Sequence, residues 1–226
     1  MVGVNSNEGM VVVVGGGSGI GAGIVARLGA RCVVWSRRHG DVDATQTESV
    51  RAARDALLAE YGPPFALVHC VGDFDERGIF ASDDAFFRHM VDSNLTSAFV
   101  VAREVVPAMC AAGRGRVLFF AAAGVEHRGA QRRSPIYYAA KAAVVSLARS
   151  LAAEVAPAGV TVNVIAPGVI RHPTSHAASQ DRVEQLVPLG RPGHVDDVVG
   201  AVELLLSPAG AYITGELWTI DGGLAL

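Results

Sequence analysis

Six short runs rich in β-branched residues alternate with alanine-rich stretches of helical character, and this alternation constrains the fold most strongly. The runs are "MVVVV", "RCVVW", "FALVHCVG", "GRVLFFAAAG", "VTVNVIAPG" and "ELWTIDGG". Strands that alternate with helices form a parallel sheet with helices on both faces. Runs that are apolar at every position, such as "VVVV", are typical of strands buried on both sides. The sequence therefore predicts an α/β fold built on one Rossmann-type, doubly wound parallel sheet.

The predicted helices occupy residues 19–29, 46–61, 83–112, 137–156 and 194–207. After the second strand, only "HG" separates "CVVWSRR" from "DVDATQTESV", which leaves little room for a further helix and strand. We expect a shortened segment there, and one strand fewer than in a full doubly wound sheet. A length of 226 residues fits a single domain spanning residues 1–226.

Composition excludes several classes of partner. The net charge is −3 and the pI is about 6.1, so we expect no general attraction to nucleic acid or anionic lipid and a small-molecule partner instead. Cys32, Cys70 and Cys110 lack a C-x-x-C spacing, which indicates a reducing compartment and no metal site. No apolar run approaches the ~18 residues of a membrane span, and the first residues lack a basic leader. We expect a soluble, cytoplasmic protein.

The stretch "GGGSGIG", Gly15 to Gly21, joins the first strand to a helix. Gly15, Gly19 and Gly21 have the spacing G-x-x-x-G-x-G. Glycines permit a tight turn and a close backbone approach, and a helix N-terminus favours an anion such as a dinucleotide pyrophosphate. An ordinary glycine-rich loop is the alternative.

Several ordered motifs together resemble the short-chain dehydrogenase/reductase family, from Met10 to about Ala225. "VVGGGSGIG" resembles the family's TGxxxGIG, with Val14 where threonine is usual, and "SNLTSAF" contains Asn94 at the family's asparagine. "YYAAK" provides Y-x-x-x-K, and "NVIAPG" resembles the loop that closes over the nicotinamide. "PLGRPGHVDDV" and "ITGELWTIDGG" resemble the C-terminal signature. The resemblance implies a homodimer or homotetramer formed through the two long helices and the C-terminal segment.

Tyr137 and Lys141 are four residues apart and therefore share one helix face. A neighbouring ammonium favours the phenolate of a tyrosine whose ordinary pKa is near 10. The pair alone is also compatible with a plain surface position. The resemblance implies that Tyr137 donates a proton to a carbonyl oxygen, while Lys141 binds the ribose hydroxyls and lowers the tyrosine pKa. It also implies that Asn94 holds a water in the proton relay, although Asn94 also suits a helix cap or kink.

Cofactor preference is indicated at the end of the second strand. An acidic residue about 20 positions after the first glycine would bind a ribose 2′-hydroxyl, but this chain has Ser36, Arg37 and Arg38. A hydroxyl and guanidinium groups suit a phosphate monoester, which favours NADP(H) over NAD(H); solvated surface arginines are the alternative. By resemblance, the cofactor site also includes Gly15, Gly17, Ser18, Gly19, Ile20, Gly21, Asp41, Val42, Gly72, Tyr137, Lys141, Pro167, Gly168, Val169 and Ile170, with Asp41 to Asp43 beside the adenine.

The family's catalytic serine has no counterpart here, which would make the chain an atypical member. The strand "VLFF" is followed by "AAAG", Ala121 to Gly124, with Ala122 at the serine position. Loss of one such hydrogen-bond donor typically lowers the rate by ~10²–10³. Ser134, His127 and Glu126 are candidates for a substitute donor.

Two further signature positions differ. The family's N-N-A-G is replaced by "HCVG", which places His69 near the expected site, although a core histidine is an equally good interpretation. His172 replaces a threonine that commonly holds the carboxamide, and Thr174 follows two residues later. The lobe 171–187 is short and also contains His176, so the substrate pocket is expected to be open or completed by a neighbouring subunit.

The sequence leaves three functions open. The first is an NADPH-dependent reductase of a small ketone, quinone or imine with Tyr137 as the proton donor. Imines and quinonoid substrates need the missing serine least, and the quinonoid dihydropteridine reductases are similar in keeping Y-x-x-x-K without it. The second is a non-redox enzyme of the same fold, a dehydratase, cyclase or isomerase, that uses the dinucleotide structurally. The third is a catalytically silent dinucleotide-binding subunit.

Overall fold

The computed structural model of the protein describes residues 9–38, 42–126, 133–172 and 185–226. Eight strands lie in these ranges: β1 (Val11–Val14), β2 (Cys32–Trp35), β3 (Ala66–His69), β4 (Gly115–Phe120), β5 (Val160–Pro167), β6 (Ile170–Arg171), β7 (Gly193–His194) and β8 (Leu217–Ile220). The α-helices are α1 (Gly19–Leu28), α2 (Thr47–Tyr61), α3 (Asp84–Val91), α4 (Ser97–Ala111), α5 (Pro135–Val155) and α6 (Val195–Leu206). Short 3₁₀ turns occupy Gly29–Arg31, Ile79–Ala81, Ala156–Ala158 and Pro208–Gly210.

The central sheet has six parallel strands in the order β2-β1-β3-β4-β5-β8, which confirms the predicted fold class. Val14 lies opposite both Trp35 and His69, so the first three strands end at the same edge. A separate pair joins β6 to β7. Between β2 and α2, the described residues form no strand, as the short segment predicted.

Both faces of the sheet are buried, because successive side chains of each strand point to opposite sides. Leu67 and Phe119 pack with α4 and α5 on one face. Val68 and Leu118 pack with α1 and α6 on the other. The continuous apolar runs in the sequence reflect this burial on two sides. No helix within the described ranges is long and apolar enough to cross a membrane.

The predicted helix 83–112 is interrupted by a π-helical turn, Asp92–Thr96, between α3 and α4. Side chains in and beside this turn bond back to the preceding backbone: the Ser97 hydroxyl donates to the Ser93 carbonyl at 2.7 Å, and the Asn94 amide donates to the Met90 carbonyl at 3.0 Å. Such side-chain bonds compete with regular helical bonding. The turn inserts an extra residue at the position of Asn94, a feature frequently found at functional sites.

Candidate active site

The glycine turn after β1 is packed too closely for side chains. Gly15 has φ 84°, and a Cβ there would lie 3.0 Å from Cγ2 of Val71. A Cβ on Gly21 would collide with the carbonyl oxygen of Gly15. Gly15 supplies the left-handed conformation and Gly21 the close approach, as the spacing predicted.

The first turn of α1 presents backbone donors at this edge of the sheet. Within the described residues, the N-cap Ser18 makes no side-chain capping bond, and Gly19 begins the helix with φ 53°. The first N–H groups of a helix have no partner within the helix and carry the positive end of its dipole. Together with the exposed Gly17 and the half-buried Ile20, they form a turn that fits an anionic diphosphate group.

The end of β2 lies beside this turn. The Gly15 amide donates to the Trp35 carbonyl at 2.8 Å, and the Val42 amide donates to the Ser36 carbonyl at 3.2 Å. Arg37 and Arg38 are exposed. The predicted contact Asp41 lies outside the described residues, while Val42 is buried.

Asp43 shares this charged corner. The Thr45 hydroxyl donates to its carboxylate at 2.7 Å. This bond, assisted by the charge of Arg37, holds the pKa of Asp43 below its usual range. This corner therefore carries charges of both signs.

Asn94, Lys141 and Gly72 meet at the ends of β3 and β4. Lys141 is buried, and its ammonium donates to the Phe120 carbonyl at 3.0 Å. A Cβ on Gly72 would lie 2.7 Å from Nζ of Lys141 and would collide with Oδ1 of Asn94. The Asn94 amide also donates to the Asp73 carbonyl at 3.0 Å. Its Oδ1 is buried and has no partner among the described residues, so it can accept a bond from a further donor.

Tyr137 lies next to this group. Its ring centroid is 5.8 Å from Nζ of Lys141, and its ring packs edge-on against Phe74 and Tyr138. Burial and Tyr138 raise the pKa of Tyr137 above its ordinary value, whereas the sequence led us to expect a lower pKa. The aromatic packing explains the difference, because desolvation penalises the phenolate. A protonated phenol is suited to donating a proton.

Burial acts on Lys141 in the opposite direction. It lowers the pKa of Lys141 to about 8, and the charge of Asp73 counteracts part of this effect. The ammonium is thus the main form at neutral pH, with deprotonation within reach on the alkaline side.

The predicted nicotinamide loop is held by its own backbone. The Ala123 amide donates to the Pro167 carbonyl at 3.0 Å, and the Gly168 amide donates to the Ile220 carbonyl at 2.9 Å. A Cβ on Gly168 would lie 2.7 Å from Cβ of Asp221. The Val169 carbonyl accepts from Gly193 at 2.9 Å, and Ile170 is buried. These contacts tie the ends of β4, β5 and β8 together.

The three proposed substitute donors, Ser134, Glu126 and His127, have different surroundings. Ala122 is buried immediately beyond β4. Glu126 forms an ion pair with Arg149 at 2.7 Å, and His127 lies outside the described residues. Ser134 is buried and has φ 58°, the only left-handed residue other than glycine in the described part of the chain. It directly precedes α5, three residues before Tyr137.

His69 and His172, which stand at positions where the family motifs have other residues, lie in different parts of the site. His69 is buried in the sheet, and its Nε2 has no partner among the described residues. Burial and the charge of Lys141 lower its pKa to about 3, so it is neutral at physiological pH. His172 lies beside Gly19 in the glycine turn. Thr174 and His176 are outside the described residues.

Within the described residues, the cysteines and acidic groups form no evident metal site. Cys32, Cys70 and Cys110 are free and partly buried, and burial raises the pKa of Cys70 to about 12. No cluster of three or more potential metal ligands occurs in the described ranges.

Sequence reasoning missed Phe74 as the packing partner of Tyr137, the π-helical turn at Asn94 and the left-handed conformation of Ser134. The position of Asn94 was itself marked by a motif. Phe74 carried no signal, because its contact depends on a loop from another part of the sheet.

Comparison with known proteins agrees with this geometry. Residues 7–225 match a family described as enoyl-(acyl carrier protein) reductase. The 3-oxoacyl-acyl-carrier-protein reductase FabG of Escherichia coli K12 is 33% identical over 187 residues, covering 81% of this chain and 75% of FabG. The corresponding reductase MabA of Mycobacterium tuberculosis H37Rv is 32% identical over 231 residues, covering 96% of this chain and 92% of MabA.

The ligand-free structure of Thermoplasma acidophilum aldohexose dehydrogenase has the same fold. It superposes with a TM-score of 0.89 at 23% identity and covers 96% of this chain and 94% of that structure. The chain belongs to the short-chain dehydrogenase/reductase family and is an oxidoreductase.

Proposed function

We propose that this oxidoreductase is an NADPH-dependent reductase of a small ketone, quinone or imine. The observation that carries the proposal is the convergence of Tyr137, Lys141 and Asn94 at the sheet edge that also bears the glycine turn. Ligands of open α/β sheets bind outside the carboxyl ends of the strands. Cofactor and reacting groups would therefore share one edge.

The residues present fit a dinucleotide. The turn from Gly15 to Gly21 is packed too closely for a side chain at Gly15 or Gly21, and it offers the N-terminus of α1 to the diphosphate. Ser36, Arg37 and Arg38 would bind the 2′-phosphate, because guanidinium groups form strong charge-assisted bonds to phosphate. Pro167 to Ile170 would face the nicotinamide. These features support NADPH over NADH.

In the proposed reaction, bound NADPH supplies a hydride to the electrophilic carbon of the substrate. Tyr137 donates its phenolic proton to the substrate oxygen or nitrogen. Addition of one hydride to carbon and one proton to the heteroatom converts the C=O or C=N double bond into an alcohol or an amine. The raised pKa of Tyr137 keeps that proton in place until the acceptor develops negative charge. Lys141 would hold the ribose hydroxyls through its ammonium, while Oδ1 of Asn94 would accept from a water that returns the proton.

Ala122 makes the chemistry more demanding for a ketone. A ketone reduced here would lack the serine donor that stabilises the developing oxyanion. Its activation barrier would be higher by ~3–4 kcal/mol. An imine or a quinonoid substrate needs this donor less. This difference is the reason that we rank such substrates beside ketones.

Cofactor preference is tested by fluorescence titration of NADPH and NADH into the wild-type protein and Arg37→Ala. We expect tight NADPH binding that Arg37→Ala weakens more than it weakens NADH binding. Arg114→Ala is the matched control, because Arg114 is exposed and precedes β4 at the opposite edge of the sheet. Equal weakening by both variants would contradict the assigned phosphate contact.

The proton donor is tested by NADPH oxidation over a panel of ketones, quinones and imines. Tyr137→Phe should abolish turnover and retain NADPH binding, since only the proton is lost. Tyr138→Phe provides the control, as Tyr138 is adjacent in the chain and packs on the same ring. Full turnover by Tyr137→Phe would rule out the proposed role.

The alanine at position 122 also favours a second candidate, a non-redox enzyme that uses Tyr137 as acid and base. This alternative requires turnover without any change in nicotinamide absorbance. Stoichiometric consumption of NADPH would exclude it.

A further inference from the structure

Phe74 is an exposed aromatic residue in direct contact with the proposed proton donor. It lies in the loop between β3 and the 3₁₀ turn Ile79–Ala81, and its relative accessibility is 60%. Its ring centroid is 5.1 Å from that of Tyr137, with the two ring planes at 88°. An edge-on pair leaves at least one face of each ring outside the contact. Phe74 therefore presents open aromatic surface beside the phenol that would donate the proton.

The loop is attached to the body of the protein just before Phe74. The Asp73 carbonyl accepts from the side-chain amide of the buried Asn94 at 3.0 Å. The Asp73 carboxylate lies 2.9 Å from Nε2 of His89 on α3. The backbone on this side of Phe74 is thus held by α3 and by the π-helical turn that follows it.

A second attachment lies just after Phe74. Asp75 accepts from the Arg77 backbone amide at 2.8 Å and from Nε of its guanidinium at 3.0 Å. The guanidinium carbon lies 3.6 Å from the centre of the ring of Phe86, which is buried in α3. A ring on a loop that is held on both sides is already ordered, so little conformational entropy is lost when a ligand packs on it.

We propose that Phe74 is a specificity-determining residue that selects substrates with an aromatic ring near the reduced carbonyl or imine group. The inference rests on the proposed function and narrows its substrate class. A substrate that accepts a hydrogen bond from the phenolic oxygen of Tyr137 has its reacting group within a few ångströms of that oxygen. A ring-sized substituent on this group then reaches the open surface of Phe74.

The aromatic character of the substituent matters as well as its size. An alkyl substituent would also remove area of Phe74 from water. An aromatic ring has in addition a negative face and a positive edge, so that two such rings attract each other in offset or edge-on arrangements. A phenyl group and a cyclohexyl group have nearly the same size, and a comparison of the two isolates this contribution.

The test compares NADPH oxidation with 1-phenylpropan-2-one and with 1-cyclohexylpropan-2-one. One CH₂ group separates the carbonyl from the ring in both ketones, so the carbonyl groups are similar in reactivity. The measured quantity is the ratio of kcat/KM for the phenyl ketone to that for the cyclohexyl ketone. Changes in folding, cofactor binding or proton donation affect both substrates and cancel in this ratio.

The proteins are the wild type, Phe74→Leu and Phe74→Ala, with Phe80→Leu as the matched control. Phe80 is fully exposed in the 3₁₀ turn that follows the loop. Within the described residues, the rings that pack against Tyr137 are those of Phe74 and Tyr138 and not that of Phe80. Leucine keeps apolar area at either position and removes only the aromatic ring.

We expect the wild type to favour the phenyl ketone by about 2–10-fold and both Phe74 variants to bring the ratio to about one. Phe74→Leu should retain turnover of the cyclohexyl ketone, whereas Phe74→Ala should lower turnover of both ketones because apolar area is lost too. Phe80→Leu should keep the wild-type ratio. Calorimetric titration of the two ketones into Tyr137→Phe saturated with NADPH should show the same preference in binding, because binding does not require the proton.

A ratio that is the same in Phe74→Leu as in the wild type would overturn the inference. An equal change in Phe80→Leu would also overturn it, because the effect would then not come from the ring beside Tyr137. Turnover confined to compounds without an aryl substituent would do so as well, while leaving the proposed function intact. Failure of the wild type to oxidise NADPH with any ketone, quinone or imine would contradict the proposed function itself, and the inference with it.

Discussion

The glycine turn after β1 and the alanine segment after β4 lie at the same edge of the sheet but are constrained differently. In the turn, side chains on Gly15 or Gly21 would contact or collide with backbone atoms. After β4, the bonds that hold Ala121 and Ala123 to β5 use backbone groups only. A binding turn thus depends on packed backbone, whereas catalytic chemistry depends on single side-chain atoms whose replacement leaves the fold intact.

We expect the largest effect, a loss of NADPH binding, from a substitution in the glycine turn after β1. Gly21→Ala forces the turn away from the Gly15 carbonyl, and each charge-assisted hydrogen bond to the diphosphate that is lost, at about 1.5–3 kcal/mol, weakens binding by about 10–10²-fold. We expect NADPH binding weakened by at least this factor, measured by fluorescence titration. Gly200→Ala is the matched control, since Gly200 is also helical and a Cβ there meets no atom within 4 Å. That variant should bind normally and gain up to about 1 kcal/mol of stability.

In the alanine segment after β4, we expect a substitution to raise activity and not to weaken binding. Ala122→Ser introduces a hydroxyl at the position where the resemblance places a catalytic serine. We expect kcat/KM for a ketone to rise by about 10–10²-fold, with a smaller rise for an imine, because the donor matters most to a developing oxyanion. Initial rates of NADPH oxidation check both values. Equal rates for Ala122→Ser and the wild type on every ketone would show that the site already has a donor.

The pH dependence of kcat/KM tests the catalytic side chains at this edge of the sheet. Burial lowers the pKa of Lys141 from 10.5 to about 8, so half of the required ammonium is lost at that pH and nearly all of it is present one pH unit lower. We expect kcat/KM to be level below about pH 8 and to fall tenfold per pH unit above it. The charge of Asp73 supports the ammonium, so Asp73→Asn should move the fall to lower pH. A profile that stays level to pH 10 would contradict the assigned role of Lys141.

The smallest effect concerns Ser134. A left-handed conformation costs a residue other than glycine about 1–2 kcal/mol, so Ser134→Gly should raise the free energy of unfolding by up to about 1 kcal/mol, measured by urea denaturation. Ser134→Ala keeps the strain and should not gain stability. Both variants lack the hydroxyl, so an equal drop in kcat would identify Ser134 as the substitute donor.

Much of the architecture could be predicted from the sequence. The strands are short and buried on both sides, so their apolar runs stand out even without alternation, as in Val11–Val14. Most ends of the long helices were predicted to within about two residues, because glycine, proline and capping residues mark where helices start and stop. The start of α5 is an example of the difference: the helix begins at Pro135 and not at Tyr137.

The remaining features depend on tertiary contacts that have no local signal. His172 reaches Gly19 only because two dipeptides far apart in the chain pair as β6 and β7. The raised pKa of Tyr137 depends on burial to which Phe74 contributes from a loop elsewhere in the chain. The motif spacing therefore brought candidate residues together, while their protonation could be argued only from the packed structure.

The π-helical turn at Asp92–Thr96 also sets an angular relation between two parts of one helical run. Each residue advances an α-helix by about 100°, so removing one residue from this turn would let α3 and α4 join as a regular α-helix but would rotate one relative to the other. Either Asn94 would turn away from Lys141, or the buried valines of α4 would turn away from the sheet. The extra residue therefore allows one continuous helical segment to direct Asn94 toward Lys141 and the valines of α4 toward the sheet.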